Sequence, residues 1–190
     1  MRLVDRATLV LLILLTVTSC KKPKNTVTTP KDMAIPTITY PFVSFASARR
    51  FYPFGDPNFG INGNTAYQVQ LTDTGQYFVT ACSGIVTSVS GQTVSLIYKT
   101  NSVYSFEYTG VRSPLVHVSD SLPPGALLGK VSADGIIGFA LVKDNHTALC
   151  PATYANAGFN TAIQLAIDKN NQYNPADSVL GPCEMDEVEK

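Results

Sequence analysis

From Tyr67 to Val142 the chain alternates short runs rich in Val, Ile, Phe, Tyr and Thr with breaks of Gly, Ser, Asn, Asp or Pro. The runs cover residues 67–71, 77–81, 84–89, 93–98, 103–108, 126–131 and 136–142. Runs this short suit strands rather than helices, and their close spacing leaves room for little beyond tight turns. The chain is therefore expected to be mainly β, a flattened barrel or sandwich with hairpin connections. Residues 67–71 alternate apolar and polar side chains as a half-buried strand does, and Thr72-Asp73-Thr74-Gly75 closes the run with a turn. Between the last two runs, Ser132-Ala133-Asp134-Gly135 predicts a tight hairpin with Asp-Gly at its tip, preceded by the rigid Pro123-Pro124-Gly125.

The rest of the composition agrees with that reading. Nine Tyr and nine Phe without Trp, together with 13 Gly and 12 Pro, suit strands and turns better than a helical bundle. At 190 residues and 45% hydrophobic content the chain supports one ordinary core. A formal net charge of zero gives no basic face for nucleic acid. Past residue 142 the pattern changes. Phe159, Ile163, Ala166 and Ile167 recur at helical spacing, which predicts a short C-terminal helix over 156–170, followed by an acidic tail that frays after Cys183.

The N-terminus carries an address. Arg2 and Arg6 precede an apolar run over 7–17, too short to span a bilayer, and the run ends in Val17-Thr18-Ser19-Cys20. That ending resembles the bacterial lipobox, in which the cysteine is lipidated and the peptide before it removed. A thiol suits the step because its thiolate is a strong nucleophile near neutral pH. An ordinary signal peptide with an incidental cysteine is the plainer alternative. Residues 1–19 are thus expected to be a lipoprotein signal, and residues 20–47 a lipidated Cys20 and flexible tether rich in Lys, Thr and Pro. Lys21, Lys22 and Lys24 either lie against anionic headgroups or are simply solvated. Lys21 stands where some bacterial lipoproteins carry an Asp that retains them at the inner membrane, so the outer membrane is favoured, facing the periplasm or the surface.

The stretches Tyr77-Phe78-Val79-Thr80-Ala81-Cys82-Ser83-Gly84-Ile85-Val86 and Leu122 through Leu141 together resemble the lysostaphin-like metallopeptidase domain, also called LytM or M23. The resemblance covers residues 64–142 and implies the family's flattened β-barrel or sandwich, a duplicated hybrid motif. It also implies a zinc site: a His and an Asp four residues apart, a later His, and another His that assists the attacking water. Here the departure is complete. The first pair would fall near Ala66 and Gln70, and the His-x-His expected before the aromatic Phe139 is replaced by Ile136, Ile137 and Gly138. The chain's two histidines are His117 and His146, both too late to supply the first ligand. A degenerate pseudo-peptidase follows, with no catalytic residue, no metal and no cofactor expected.

Other residues carry chemistry that a separate site would need. His146 and Cys150 stand four apart, the spacing of two ligands on one helical face, with exposed loop histidines as the alternative. Asn145-His146-Thr147 is a glycosylation sequon, which a lipobox puts in the wrong setting. Arg49-Arg50 beside Phe51-Tyr52 reads as a solvated strand edge with the aromatics turned inward rather than a binding patch. Cys150 and Cys183 bracket the helix and are expected to form a disulfide; Cys82, in an apolar run, reads as a small core hydrophobe, though it could compete as a partner.

The expected organisation is a degenerate lysostaphin-like domain over 48–146 and a helical segment with an acidic tail over 147–190. The expected function is a lipid-anchored envelope protein that binds peptidoglycan or a protein partner. A structural spacer in an envelope assembly, or a hydrolase with a different active site, are the alternatives.

Overall fold

The computed structural model of the protein describes residues 34–57, 64–184 and 186–189. The expected signal peptide, Cys20 and the three lysines after it lie outside the described residues. In chain order the strands are β1 (Ala48–Tyr52), β2 (Tyr67–Leu71), β3 (Tyr77–Val79), β4 (Gly84–Ser90), β5 (Thr93–Tyr98), β6 (Tyr104–Thr109), β7 (Val111–Arg112), β8 (Ser121–Leu122), β9 (Leu127–Val131), β10 (Ile136–Lys143) and β11 (Thr147–Leu149). After them come helix α1 (Ala157–Tyr173) and strand β12 (Glu187–Glu189).

β10 is the spine. It pairs with β6 along one edge and with β2, then β11, along the other, all antiparallel. The large sheet runs β1-β2-β10-β6-β5-β4-β8, with β11 and β12 extending from β10, and a small sheet runs β3-β9-β7. The fold is mainly β, as the sequence implies, and the sheets do not close into a barrel. The unbroken apolar run of β10 has a physical counterpart: its six central residues are buried, on both faces.

The turn at 132–135 is a corner rather than a hairpin. β9 pairs only within the small sheet and β10 only within the large one, so the chain changes sheet at Asp134-Gly135. Neighbouring backbone captures both sides of the corner. The Ser132 amide donates to the Gly110 carbonyl at 2.7 Å, and the Leu71 amide donates to the Gly135 carbonyl at 2.9 Å. Gly135 has φ of 72°, and a Cβ there would collide with the Leu71 carbonyl oxygen, so the position needs glycine twice over.

One aromatic cluster fills the interior, and Phe139 is its hub. Its ring lies 4.9 Å from Phe42, 5.1 Å from Tyr108, 6.1 Å from Phe159 and 6.2 Å from Phe106. Phe42 comes from the stretch expected to be tether. Ile38, Phe42, Val43 and Phe45 are all buried, so the expected boundary at residue 47 moves back. Burial of these large apolar side chains outweighs the disorder that Pro and Thr favour nearby. Backbone bonds hold the segment too: Ile38 N–H donates to the Tyr154 carbonyl, and Val79 N–H to the Phe42 carbonyl.

Helix α1 starts one residue after the expected start. The Asn156 side chain accepts from the Phe159 amide at 2.9 Å as an N-cap, and the helix runs three residues past the expected end. It packs on β1 through Phe159, Ile163, Ala166 and Ile167. The tail does not fray after Cys183. Residues 187–189 pair with β11 and the Cys150 amide donates to the Asp186 carbonyl, so an otherwise open sheet edge is covered.

Candidate functional site

The place where the resemblance puts catalysis is the outward face of β1, β2 and β10. Alternation decides which side chains reach it. Phe51, Tyr67, Val69, Ile137 and Phe139 turn inward and are buried, so Arg50, Tyr52, Gln68, Gln70, Ile136 and Gly138 turn outward. Register sorts the outward residues into two rows. Arg50, Gln70 and Ile136 stand side by side, and so do Tyr52, Gln68, Gly138 and Thr109. Tyr52, Gln68, Val69, Gln70 and Ile136 line a cleft of about 240 Å³ there.

Ala66 precedes β2 and Gln70 stands opposite Ile136, so the expected pair does not face Gly138; Asn64 and Gln68 have the same spacing two positions earlier. Gln68 is the residue opposite Gly138, and its Nε2 lies 3.4 Å from Asn64 Oδ1. Asn64 is buried and its amide is committed to the backbone. Nδ2 donates to the carbonyls of Tyr52 and Pro53, and Oδ1 accepts from the Ala66 amide.

Zinc does not fit here. It takes imidazole, thiolate or carboxylate donors, and these positions offer two neutral amides, an isoleucine and a glycine. A Cβ built on Gly138 would meet Thr109 Oγ1, so a side chain there requires that hydroxyl to move. Among the described residues, no group of three or more His, Cys, Asp or Glu is placed to hold a metal.

The remaining candidates are scattered. His117 is exposed, and its backbone amide donates to Asp120 Oδ2 at 2.8 Å. His146 is exposed at the β10–β11 turn, while Cys150 is buried and bonded to Cys183 across a Cα separation of 6.1 Å. Residues 147–149 are a strand, so His146 and Cys150 share no helical face. Tyr67 Oη sits beside the bridge, 3.4 Å from Cys183 Sγ, and accepts from the Ala152 amide. Cys82 is buried and unpaired, in the link between β3 and β4 rather than in a strand, and burial pushes its thiol well above the ordinary value. A thiol so raised is a poor nucleophile.

Arg49 and Arg50 lie on the strand edge with Phe51 inward, as the sequence suggests. Arg49 stacks 5.0 Å over Tyr173, and Arg50 Nη1 donates to Tyr52 Oη at 3.2 Å. Pattern reading missed the asparagines at the end of α1. Asn170 Oδ1 accepts from the Phe51 amide, Asn174 Nδ2 donates to the Arg49 carbonyl, and Asn171 makes a two-way bond with the Val179 backbone. Asn170 and Asn174 bond the backbone of β1 and border a polar cleft of about 410 Å³ beside Arg50. The only signal for them was Asn density in Lys169-Asn170-Asn171-Gln172-Tyr173-Asn174.

Two antiparallel sheets, a β10 spine and an outward face opposite Phe139 define a lysostaphin-like fold, and known structures bear this out. The chain is similar to the structure of the SpoIIQ–SpoIIIAH pore forming complex, at 16% identity over 65% of this chain and 93% of that one, with a TM-score of 0.50. It is also similar to Helicobacter pylori Csd3, at 13% identity over 79% of this chain and 46% of that one, with a TM-score of 0.50. A third likeness is to the M23 metalloprotease pseudoalterin from the deep sea, at 14% identity, covering 58% and 73%, with a TM-score of 0.46. No protein-family model and no curated protein matches the sequence. At these identities the likeness is one of fold.

Proposed function

We propose that this is a lipid-anchored protein of the bacterial cell envelope whose lysostaphin-like domain has lost peptidase chemistry and acts by binding. The observation that carries the reading is the outward face of β2 and β10. The fold is kept while Asn64, Gln68, Ile136 and Gly138 stand where ligands would be, and Thr109 fills the space beside Gly138. A fold that persists without its metal donors has lost the means to activate water, yet its cleft and rigid strands remain suited to recognition. The ligand is peptidoglycan or an envelope protein. Likeness to one chain of an assembly described as a pore forming complex supports the protein arm.

The test uses the full-length protein with purified peptidoglycan sacculi, with and without added zinc. The expected result is no release of soluble fragments in either case, with retention on sacculi deciding between the two ligands. Near-stoichiometric zinc together with chelator-sensitive cleavage would overturn the reading. Lipidation is tested separately: Cys20→Ser should abolish fatty-acid labelling and membrane partitioning.

A further inference from the structure

We infer that the face formed by β3, β9 and α1 rests on the lipid surface of the membrane that holds the protein's anchor. The inference rests on the lipid-anchored reading above. Its first support is a continuous apolar face. Pro41, Val43, Tyr77, Val79, Ala162 and Leu165 border a cleft of about 370 Å³ whose lining includes no charged side chain. Leu127 pairs with Val79 beside it, and the Tyr40 ring lies over Gly125, two residues before Leu127. Tyr40 and Leu127 are each 51% exposed, and Tyr77 and Leu165 each 42%. Four large apolar side chains grouped this way are more than scattered surface residues need.

The chemistry of the face selects lipid among possible occupants. Two tyrosines and a lysine belong to the water–bilayer interface, where an aromatic ring sits at headgroup level and an ammonium meets phosphate. Lys130 Nζ stands 5.6 Å from the centre of the Tyr77 ring, so cation and ring are presented together. The free edge of β3 is partly occupied, since Val79 N–H donates to the Phe42 carbonyl and the Ser44 amide donates to Gln76 Oε1 just before the strand. Apolar tips beside so short an edge suit a medium that offers no directional hydrogen bonds.

Chain length supplies the third argument. Thirteen residues separate Cys20 from Ala34, a reach of at most about 50 Å when fully extended. Tyr40, on the face itself, follows six residues later. An anchor at Cys20 therefore keeps this face near the bilayer at high effective concentration, so even weak interfacial affinity is enough to orient the domain.

The chain has no Trp, so single-tryptophan variants report without background. Full-length Tyr77→Trp, Leu165→Trp and, as control, Val118→Trp are reconstituted in phosphatidylcholine vesicles with brominated acyl chains. All three positions are exposed, and circular dichroism confirms that each variant folds. The expected result is a blue shift and several-fold stronger bromine quenching for Tyr77→Trp and Leu165→Trp than for Val118→Trp. Equal quenching at all three, or none at 77 and 165, overturns the inference. So does shielding of the 77 indole from iodide that depends on protein concentration without vesicles, which would mark a second copy as the occupant. Flotation of the wild type separates the two readings. A protein that floats but shows no selective quenching keeps its anchor and loses the docking face. One that does not float, yet is quenched selectively when vesicles are present, loses the anchor and keeps the face.

Discussion

Gly138 and Phe139 are neighbours on β10 and belong to two different surfaces. Phe139 is fully buried at the centre of the aromatic cluster, in contact with rings from β6, α1 and the N-terminal segment. Gly138 turns to the outward face, beside Gln68 and Thr109. The inward residues of β2 and β10 are held in place by everything packed on them. Of their outward neighbours, Gln68 is half-buried, and Gln70 and Ile136 are exposed and less tied to packing. Alternation along a strand thus separates the packed face from the surface face by a single residue.

The largest expected effect breaks the inward side. Phe139→Ala removes the hub of the cluster and should cost about 3–5 kcal/mol, read as a fall in the urea midpoint at unchanged slope. A loss under about 1 kcal/mol would mean that the two faces are not so unequal.

A sharper test sits on the outward side. Gly138→His should destabilise by about 1–3 kcal/mol through overpacking against Thr109 Oγ1. Thr109→Ala removes that oxygen, so the double variant should recover most of the loss. Additive costs in the double-mutant cycle would show that Thr109 is not what closes the position.

The interior also carries a pH signature. Burial raises the Cys82 thiol and the phenols of Tyr67 and Tyr108 above their ordinary values. Each is bound to its proton in the folded chain at pH values where the unfolded chain has released it. Their stabilisation is complete below the unfolded pKa and is lost as pH rises through the window up to the folded pKa. Beginning near pH 9, stability should fall by up to about 1.4 kcal/mol per pH unit for each such group. Cys82→Ala should flatten the first part of that limb, and native Cys82 should resist thiol reagents at neutral pH.

The smallest effect is expected at Gln70, whose side chain is exposed on the outward face. Gln70→Ala should leave stability within about 0.5 kcal/mol. If it also weakens retention of the ligand found with sacculi or an envelope protein, the outward face is the binding surface.

Local pattern was enough for the longer strands of the run from 67 to 142, but not for β1, β7, β8, β11 or β12. Residues 67–71 and 93–98 are β2 and β5 to the residue, and the helix begins at its Asn156 cap, because period and capping are written in neighbouring side chains. That the family's zinc ligands are not expected here was also a matter of local reading, since both histidines, His117 and His146, come after residue 116. The pairing of Cys150 with Cys183 followed from what lay between them and from the apolar run around Cys82.

Partnership was out of reach. The Asp134-Gly135 turn has the composition of a hairpin tip, and only the capture of Ser132 by Gly110 and of Gly135 by Leu71 turns it into a corner between sheets. The same holds for Phe42, assigned to a tether by its Pro-rich and Thr-rich neighbours until the ring of Phe139 claimed it. Gln68, rather than Gln70, lies opposite Gly138 because of the register in which β2 pairs with β10. Composition and period point to which residues form strands. Which strands meet, and in what register, is a long-range choice made by the packing of side chains far apart in the chain, and local sequence does not encode it.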